Sequence, residues 1–245
     1  MPLRTSLFLV VLSAAAHAGL PQEIWPLQPV PAAIVARLAA GKSLEPELWP
    51  AVEFQQVFCE ILTGAPPAKW QAQLGKFLNP APNDFVAQGI ADVARIWLAR
   101  ARMLEVDVVL KKYYRRAVSF PESLAAVMAD LPAQLRTDPW GQPWVYTVHA
   151  PEGFARQANQ RYQLGPTRCP LLTTLREATK PRPAQAVPWK ITAHSVSGER
   201  SLQFKGKKTS ALIQQGGSVD GYALLYIGDN WALLAAQDQL FAVTF

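Results

Sequence analysis

The histidines and cysteines of this chain are too dispersed to form a recognisable zinc site. His17, His149 and His194 lie far apart in the sequence, as do Cys59 and Cys169. Zinc ligands usually come in pairs separated by about two to five residues, so that one turn or helix presents both. We therefore expect no metal ion, and nothing in the sequence predicts another cofactor.

Other residues that could do chemistry also lack the pattern that such chemistry needs. Ser218 follows Gly216 and Gly217, but the next glycine is Gly221, so this is not the Gly-x-Ser-x-Gly turn that presents a nucleophilic serine. The sequence contains no Walker loop and no dinucleotide-binding glycine pattern. It predicts no catalytic residue, and we expect a non-enzymatic protein.

Asp138 opens the most distinctive stretch of the chain and is predicted to form a turn rather than to act as an acid. Its carboxylate can accept hydrogen bonds from following amides, and a proline and a glycine stand close behind it. The aromatic residues after the turn add apolar area with polar atoms that need partners. The simplest interpretation is an aromatic-packed turn with no further role. The predicted structural motif is Asp138, Pro139, Trp140, Gly141, Pro143 and Tyr146.

Together with the segment before it, this motif resembles the major pseudopilins of type II secretion. In that family a long helix ends at a Tyr-Pro turn, followed by a short helix and a strand that opens with Asp-Pro-Trp-Gly-x-Pro. Here Phe120 and Pro121 stand at the turn, and the resemblance covers about residues 90–175. It implies a long helix packed on a small antiparallel sheet, and a role in protein secretion.

Two features of the pseudopilin family are missing from this chain. A pseudopilin helix starts with a methylated, membrane-embedded N-terminal segment, whereas here a signal-like segment and residues 19–83 come first. The family also has an aspartate-containing calcium loop after the strand that ends here at Gly165. The residues that follow, 166–170, contain no carboxylate, and calcium needs about six to eight oxygen ligands. The family's calcium site is therefore not expected.

Helical patterns dominate the chain before the motif. Helices are predicted over residues 31–40, 50–62 and 68–78, bounded by proline and glycine. Asn83 or Asp84 can cap a long helix over residues 85–118, and a short helix is predicted to follow Pro121. In the long helix, Asp92–Arg95 and Asp107–Lys111 have the spacing of helical ion pairs.

Residues 189–245 change to the period-two pattern of short strands. Six strands separated by turns predict a small antiparallel sandwich or barrel. The final run, Leu240–Phe245, is apolar on both faces and uncharged, as in a strand that is covered on both sides. The pattern of residues 216–234 resembles the periplasmic β-domain of type II secretion connectors and pilus lipoproteins, which docks on the secretin. An open sheet edge, or Phe241 and Phe245, could serve such docking, but the two rings could equally complete the domain's own core.

The predicted fold class is α+β, in five segments. They are a signal peptide (1–18), a helical N-terminal region (19–83), a pseudopilin-like α/β body (84–178), a proline-rich linker (179–188) and a small β-domain (189–245). The signal peptide is predicted from Arg4, the apolar run Leu7–Leu12 and the small residues Ala16–Ala18. An uncleaved anchor is the alternative. The expected location is the periplasm or the cell exterior.

Composition restricts the partners. The chain has 245 residues, is 50% apolar and 17% charged, and carries a formal net charge of +6, which is typical of a globular protein with a basic surface. It has no nucleic-acid-binding motif, so nucleic acid is not an expected partner.

A basic cluster (Lys111, Lys112, Arg115 and Arg116) marks the end of the long helix, where the dipole favours cations. Peripheral contact of this cluster with a membrane surface stays open, as does a Cys59–Cys169 disulfide.

These features favour an exported accessory or assembly component of a type II secretion or type IV pilus-like machine. Its expected partners are proteins of that machinery, such as the secretin or pseudopilins, while the sequence gives no oligomeric state. Two alternatives remain. One is an exported enzyme whose site is assembled from distant residues, and the other is a stand-alone periplasmic binding module that uses a pseudopilin-like body.

The signal pattern predicts that the mature protein begins at Gly19, because the small residues Ala16 and Ala18 stand where signal peptidase reads its site. Mass spectrometry of the protein from the cell envelope should find Gly19 at the N-terminus. Recovery of a chain that retains Met1 would favour the uncleaved anchor instead.

Overall fold

The structure is a computed structural model that describes residues 22–40, 45–149, 160–175, 188–196, 199–236 and 238–245. The predicted signal peptide and most of the predicted linker lie outside these residues. The α-helices within them are α1 (Ala32–Ala39), α2 (Trp49–Leu62), α3 (Pro67–Leu74) and α4 (Phe85–Ala117). None of these helices combines the length and the apolar character needed to cross a bilayer.

The helix boundaries agree with the sequence prediction to within one residue, except that α3 ends at Leu74 and a 3₁₀ helix, Gly75–Phe77, follows it. The Asp84 carboxylate caps α4 by accepting a hydrogen bond from the amide of Ala87 at 2.8 Å. At the other end, Val118 adopts a left-handed φ of 57°. The predicted ion pairs Asp107–Lys111 and Asp92–Arg95 are formed, at 2.5 and 3.2 Å. The short helix predicted after Pro121 is instead a 3₁₀ helix, Leu124–Asp130.

In the described residues the strands form three antiparallel sheets. They are β1 (Glu23–Pro29), β2 (Val145–His149), β3 (Arg161–Gly165), β4 (Lys190–Val196), β5 (Glu199–Lys205), β6 (Ser210–Gln214), β7 (Ser218–Val219), β8 (Tyr222–Ile227), β9 (Trp231–Ala236) and β10 (Gln239–Thr244). The sheet orders are β1-β10-β9-β8-β7, β2-β3 and β4-β5-β6. The combination of helices with antiparallel sheets confirms the α+β class.

Strand β1 was not expected from the sequence. It lies in the predicted helical N-terminal region, yet it pairs with β10, where Glu23 stands opposite Thr244 and Pro26 opposite Phe241. Pro26 and Pro29 obscure a strand pattern, and both are tolerated because β1 is the outer strand of its sheet. The N-terminal region thus supplies a strand to the sheet that the C-terminal β-strands build.

The five-stranded sheet is covered on both faces, as the uncharged final strand predicted. Leu240 and Ala242 of β10 pack with the helices, whereas Val243 and Phe245 pack into the space between this sheet and β4-β5-β6. Phe241 also packs on that second core. The two sheets therefore form a sandwich, and the aromatic rings of the final strand complete its core.

Helix α4 takes part in two separate cores. Its 33 residues span about 50 Å at 1.5 Å per residue. The N-terminal half packs with α2 and the five-stranded sheet, and Gly89 allows a close approach, because a Cβ there would displace the end of the Leu240 side chain, 2.4 Å away. The C-terminal half packs with the 3₁₀ helix Leu124–Asp130 and with the hairpin of β2 and β3. The two halves are thus fixed to different layers of the protein.

A buried ion pair joins α4 to β1. Arg100 is 1% exposed and Glu23 5% exposed, and their Nη2 and Oε2 atoms are 2.6 Å apart. The guanidinium lies 5.1 Å from the ring centres of both Trp25 and Trp97. It also donates to the backbone oxygen and the Oγ1 of Thr173, at 3.0 and 2.7 Å. One side chain thereby connects the N-terminal strand, the central helix and the segment after β3.

Replacing Arg100 by alanine should lower the free energy of unfolding by about 3–5 kcal/mol, because Glu23 would remain buried without its partner. Urea denaturation measures this change. The matched control is Arg116→Ala, which removes an exposed pair with Asp130 and should cost less than about 1 kcal/mol. Equal effects of the two substitutions would show that the buried pair does not hold β1 in place.

Candidate functional site

The candidate site begins at the predicted turn, where Asp138 is 1% exposed. Its Oδ1 accepts hydrogen bonds from the amides of Trp140 and Gln142, both at 2.9 Å. The amide of Gly141 donates to the Asp138 carbonyl at 2.9 Å, and the φ of Gly141 is +78°. A side chain at this position would be strained at that φ, which explains the glycine. Asp138 is thus a turn former, as its neighbours predicted.

Trp140 connects this turn to α4 through Asp92. The indole Nε1 donates to Asp92 Oδ1 at 2.9 Å. Arg95 donates to the same oxygen at 3.2 Å, and Arg168 donates to Oδ2 at 3.0 Å. The guanidinium of Arg168 also lies 6.0 Å from the centre of the Trp140 ring. Asp92 is buried, so three donors from three parts of the chain compensate for the loss of water around its carboxylate.

A second set of contacts fixes the loop after β3 to the same turn. The amide of Thr167 donates to Asp138 Oδ2 at 3.1 Å, and its hydroxyl donates to the carbonyl of Pro143 at 2.8 Å. Beside Thr167, Arg168 reaches Asp92. The loop after β3 is therefore fixed by an amide, a hydroxyl and a guanidinium.

The remaining aromatic residues of the motif find the partners that their polar atoms need. Trp144 is buried, and its Nε1 donates to the carbonyl of Leu135 at 2.9 Å. The hydroxyl of Tyr146 donates to the carbonyl of Pro121 at 2.9 Å. Burial, with a smaller effect of Tyr113, raises the pKa of Tyr146 to about 12. Tyr146 is therefore a neutral hydrogen-bond donor that ties β2 to the turn at the end of α4.

An open cavity of about 400 Å³ lies beside Trp140. The residues that line it are Gln28, Pro80, Gln88, Asp92, Arg95, Pro139, Trp140 and Arg168. Prolines and the indole ring provide apolar walls, while amides and two arginines provide polar contacts. The lining can offer hydrogen bonds to a polar group, while both oxygens of the Asp92 carboxylate already accept hydrogen bonds and pair with the two arginines.

The cysteines show no sign of nucleophilic activation. Both are free thiols, so the disulfide left open by the sequence is not formed. Burial raises the pKa of Cys59 and Cys169, and Asp229, whose Oδ2 lies 3.4 Å from the Cys59 sulfur, raises that of Cys59 further. A reactive cysteine requires a lowered pKa. Within the described ranges, no group of three or more potential metal ligands is close enough to hold an ion.

The structure brings the six motif residues together around one turn but places their main partners elsewhere. Asp92 and Arg168, which complete the site, were not predicted as site residues. The sequence does mark Asp92 as unusual, because it is the single charged residue within the apolar run Gly89–Ala94. A charge on the buried face of a helix requires a partner, but the sequence does not show that the partner is a tryptophan 48 residues away.

A comparison of this chain with protein-family models, curated proteins and solved structures found no match.

Replacing Trp140 by phenylalanine should lower the free energy of unfolding by about 1–3 kcal/mol, because a buried carboxylate loses one donor while most of the ring remains. The indole is only half-buried, so Trp140→Ala should cost less than the 3–5 kcal/mol of a fully buried ring. Urea denaturation measures both changes. The control is Trp49→Phe, which should have little effect because Trp49 is 63% exposed. An equally small effect of Trp140→Phe would contradict a stabilising role for the turn.

Proposed function

We propose that this protein is an exported, non-enzymatic accessory or assembly component of a type II secretion or type IV pilus-like machine. The observation that best supports the proposal is the attachment of the Asp138–Tyr146 motif to the long helix through Asp92. A motif with several buried hydrogen bonds and no free reactive group has the properties of a structural element. Its sequence is the part of the chain that most resembles the pseudopilins.

We also infer a pseudopilin-like arrangement for the body of the protein. In support of this, α4 packs against Leu164 of β3 and against Trp144, which directly precedes β2. The turn at Phe120 and Pro121, which ends the helix, is held by Tyr146 and by the ring contact of Phe120 with Tyr162, 4.8 Å between centres. The C-terminal sandwich would then be the addition that distinguishes this protein from a pseudopilin.

The proposed partners are proteins of the machinery, such as the secretin or pseudopilins, in the periplasm or at the cell exterior. The basic end of α4 is the alternative contact, with a membrane surface. Two of its four cations already have carboxylate partners, Lys111 with Asp107 at 2.5 Å and Arg116 with Asp130 at 3.3 Å. Neutralised cations contribute little attraction to anionic lipid, so protein contacts are favoured.

A second candidate is a stand-alone periplasmic binding module. The cavity beside Trp140 favours it, because an aromatic wall with neighbouring amides and arginines can orient a small polar ligand. In that case the body would present a binding site rather than a contact surface for the machinery, and loss of the protein would affect the ligand and leave secretion unchanged.

Deletion of the coding region in the natural host tests the main proposal. Export of a secretin-dependent protein, or pilus-dependent motility, should fall by about tenfold or more and should return when the wild-type chain is supplied. Asp138→Ala should fail to restore it, whereas the surface control Lys76→Glu should succeed, with immunoblots showing comparable amounts of each chain. Unchanged secretion and piliation in the deletion strain would contradict the proposal.

A further inference from the structure

Strand β6 has an open outer edge. It is the last strand of the sheet β4-β5-β6 and pairs on its inner side with β5, where Leu202 stands opposite Ile213 and Gln203 opposite Leu212. Among the described residues, no other strand pairs with its outer side. Ala211 and Ile213 pack on the core of the sandwich, so β6 is anchored along one face. The carbonyl of Gln214 accepts a hydrogen bond from the amide of Gly217 at 3.0 Å, so the additional strand would pair with the earlier part of β6, at Ser210 and Leu212.

The sequence of β6 contains none of the features that protect an exposed edge. Proteins commonly prevent strand addition with prolines, bulges or charged residues on the edge. The outer strand β1 has Pro26, Pro29 and a register shift between them. The outer strands β3 and β4 begin with Arg161 and Lys190. Strand β6 has no proline, charge or register shift from Ser210 to Gln214.

An apolar side chain occupies the centre of this edge strand. Leu212 is 56% exposed, whereas the exposed side chains of β2, another outer strand, are the polar Thr147 and His149. Covering a leucine at such a position with a neighbouring strand is favourable, because it removes apolar surface from water. The backbone and the side chain of β6 thus favour the same type of contact.

Positive charge lies beside the N-terminal end of β6. Lys205, Lys207 and Lys208 are exposed in and beside the turn between β5 and β6. In the described part of the chain, none of the three has a carboxylate within 4.0 Å. Adjacent like charges without partners attract an acidic segment.

We propose that the outer edge of β6 binds an extended segment of a partner protein as an additional antiparallel strand. The segment would place an apolar residue beside Leu212, and its C-terminal end would carry acidic residues beside Lys207 and Lys208. The antiparallel direction continues that of the sheet. The inference rests on the proposed role in protein contact and adds the surface and the chemistry of the partner.

A second copy of this chain is a less suitable occupant. Antiparallel pairing of β6 with its copy about Leu212 would place Gly216 and Gly217 beside the lysines, so the positive charge would remain uncompensated. The five residues of β6 also form a short ladder, whereas a stable dimer usually buries more than about 1,200 Å². Self-association through this edge would contradict the proposal.

The test uses the full-length purified protein and fluorescein-labelled synthetic peptides of about nine residues, a common strand length. One peptide alternates valine and threonine and ends in three glutamates, and the other ends in three lysines. Fluorescence anisotropy should show at least about tenfold tighter binding of the glutamate peptide, a difference of about 1.4 kcal/mol. Hydrogen exchange with that peptide bound should slow at the amides of residues 210–214.

Two variants make the test specific to this edge. Leu212→Lys should weaken binding by about tenfold, whereas Val108→Lys, at a 66% exposed position on α4, should leave it unchanged. The double substitution Lys207→Glu and Lys208→Glu should reverse the preference in favour of the lysine peptide, which a loss of folding cannot produce.

Three results would overturn the inference. They are unchanged exchange at residues 210–214 with the peptide bound, equal binding by wild type and Leu212→Lys, and a concentration-dependent dimer that Leu212→Lys abolishes, which would assign the edge to a second copy. The measurement requires only protein and peptide. Failure of the edge proposal is therefore distinct from failure of the proposed role in secretion, which the deletion strain tests.

Discussion

The structure depends most on the compensation of the buried positive charge of Arg100. Removing an unpaired charge from water costs several kcal/mol, so Arg100 can be buried only if partners surround it. Glu23 provides the opposite charge at 2.6 Å, Thr173 provides two oxygens, and Trp25 and Trp97 lie beside the guanidinium. These groups come from three distant segments. The ion pair therefore fixes strand β1 to helix α4, and β1 in turn pairs with β10 in the five-stranded sheet.

Asp92 plays a corresponding part on the same helix, eight residues before Arg100. Both are buried charges on α4, but Asp92 is satisfied by the Trp140 indole, Arg95 and Arg168. Its contacts attach the Asp138 turn and the loop after β3 to the helix, as Arg100 attaches β1. A single long helix thus contacts both the sandwich and the segment that carries the Asp138 motif.

Local sequence patterns predicted most helices and turns. The predictions failed where the structure of a segment depends on a partner far away in the sequence. The helix boundaries, the Asp84 cap, the turn at Asp138 and the doubly covered final strand all depend on neighbouring residues, which the sequence displays directly. Strand β1 depends on a partner 221 residues away, as in the contact between Glu23 and Thr244, and its two prolines conceal the strand pattern. The buried charges Asp92 and Arg100 can be recognised as unusual on an apolar helix face, but their partners lie on other elements and cannot be identified from spacing.

The motif alone does not define the site, because part of the site comes from other elements. Asp138, Pro139, Trp140 and Gly141 determine a turn through their own backbone preferences, whereas the cavity beside the turn also needs Gln28, Arg95 and Arg168 from other elements. The polar atoms of the motif find their partners within the fold, as buried polar groups usually do.

The most direct measurement of that account is affinity purification of the full-length protein from chemically crosslinked cell envelopes, followed by mass spectrometry. A component of the machinery should be recovered together with a secretin or pseudopilin of the same cell in near-equal amounts, and recovery should fall when Arg100→Ala disrupts the connection between strand β1 and the central helix. Recovery of neither component, with the protein isolated alone or with a bound small molecule, would contradict the account and favour a stand-alone binding module.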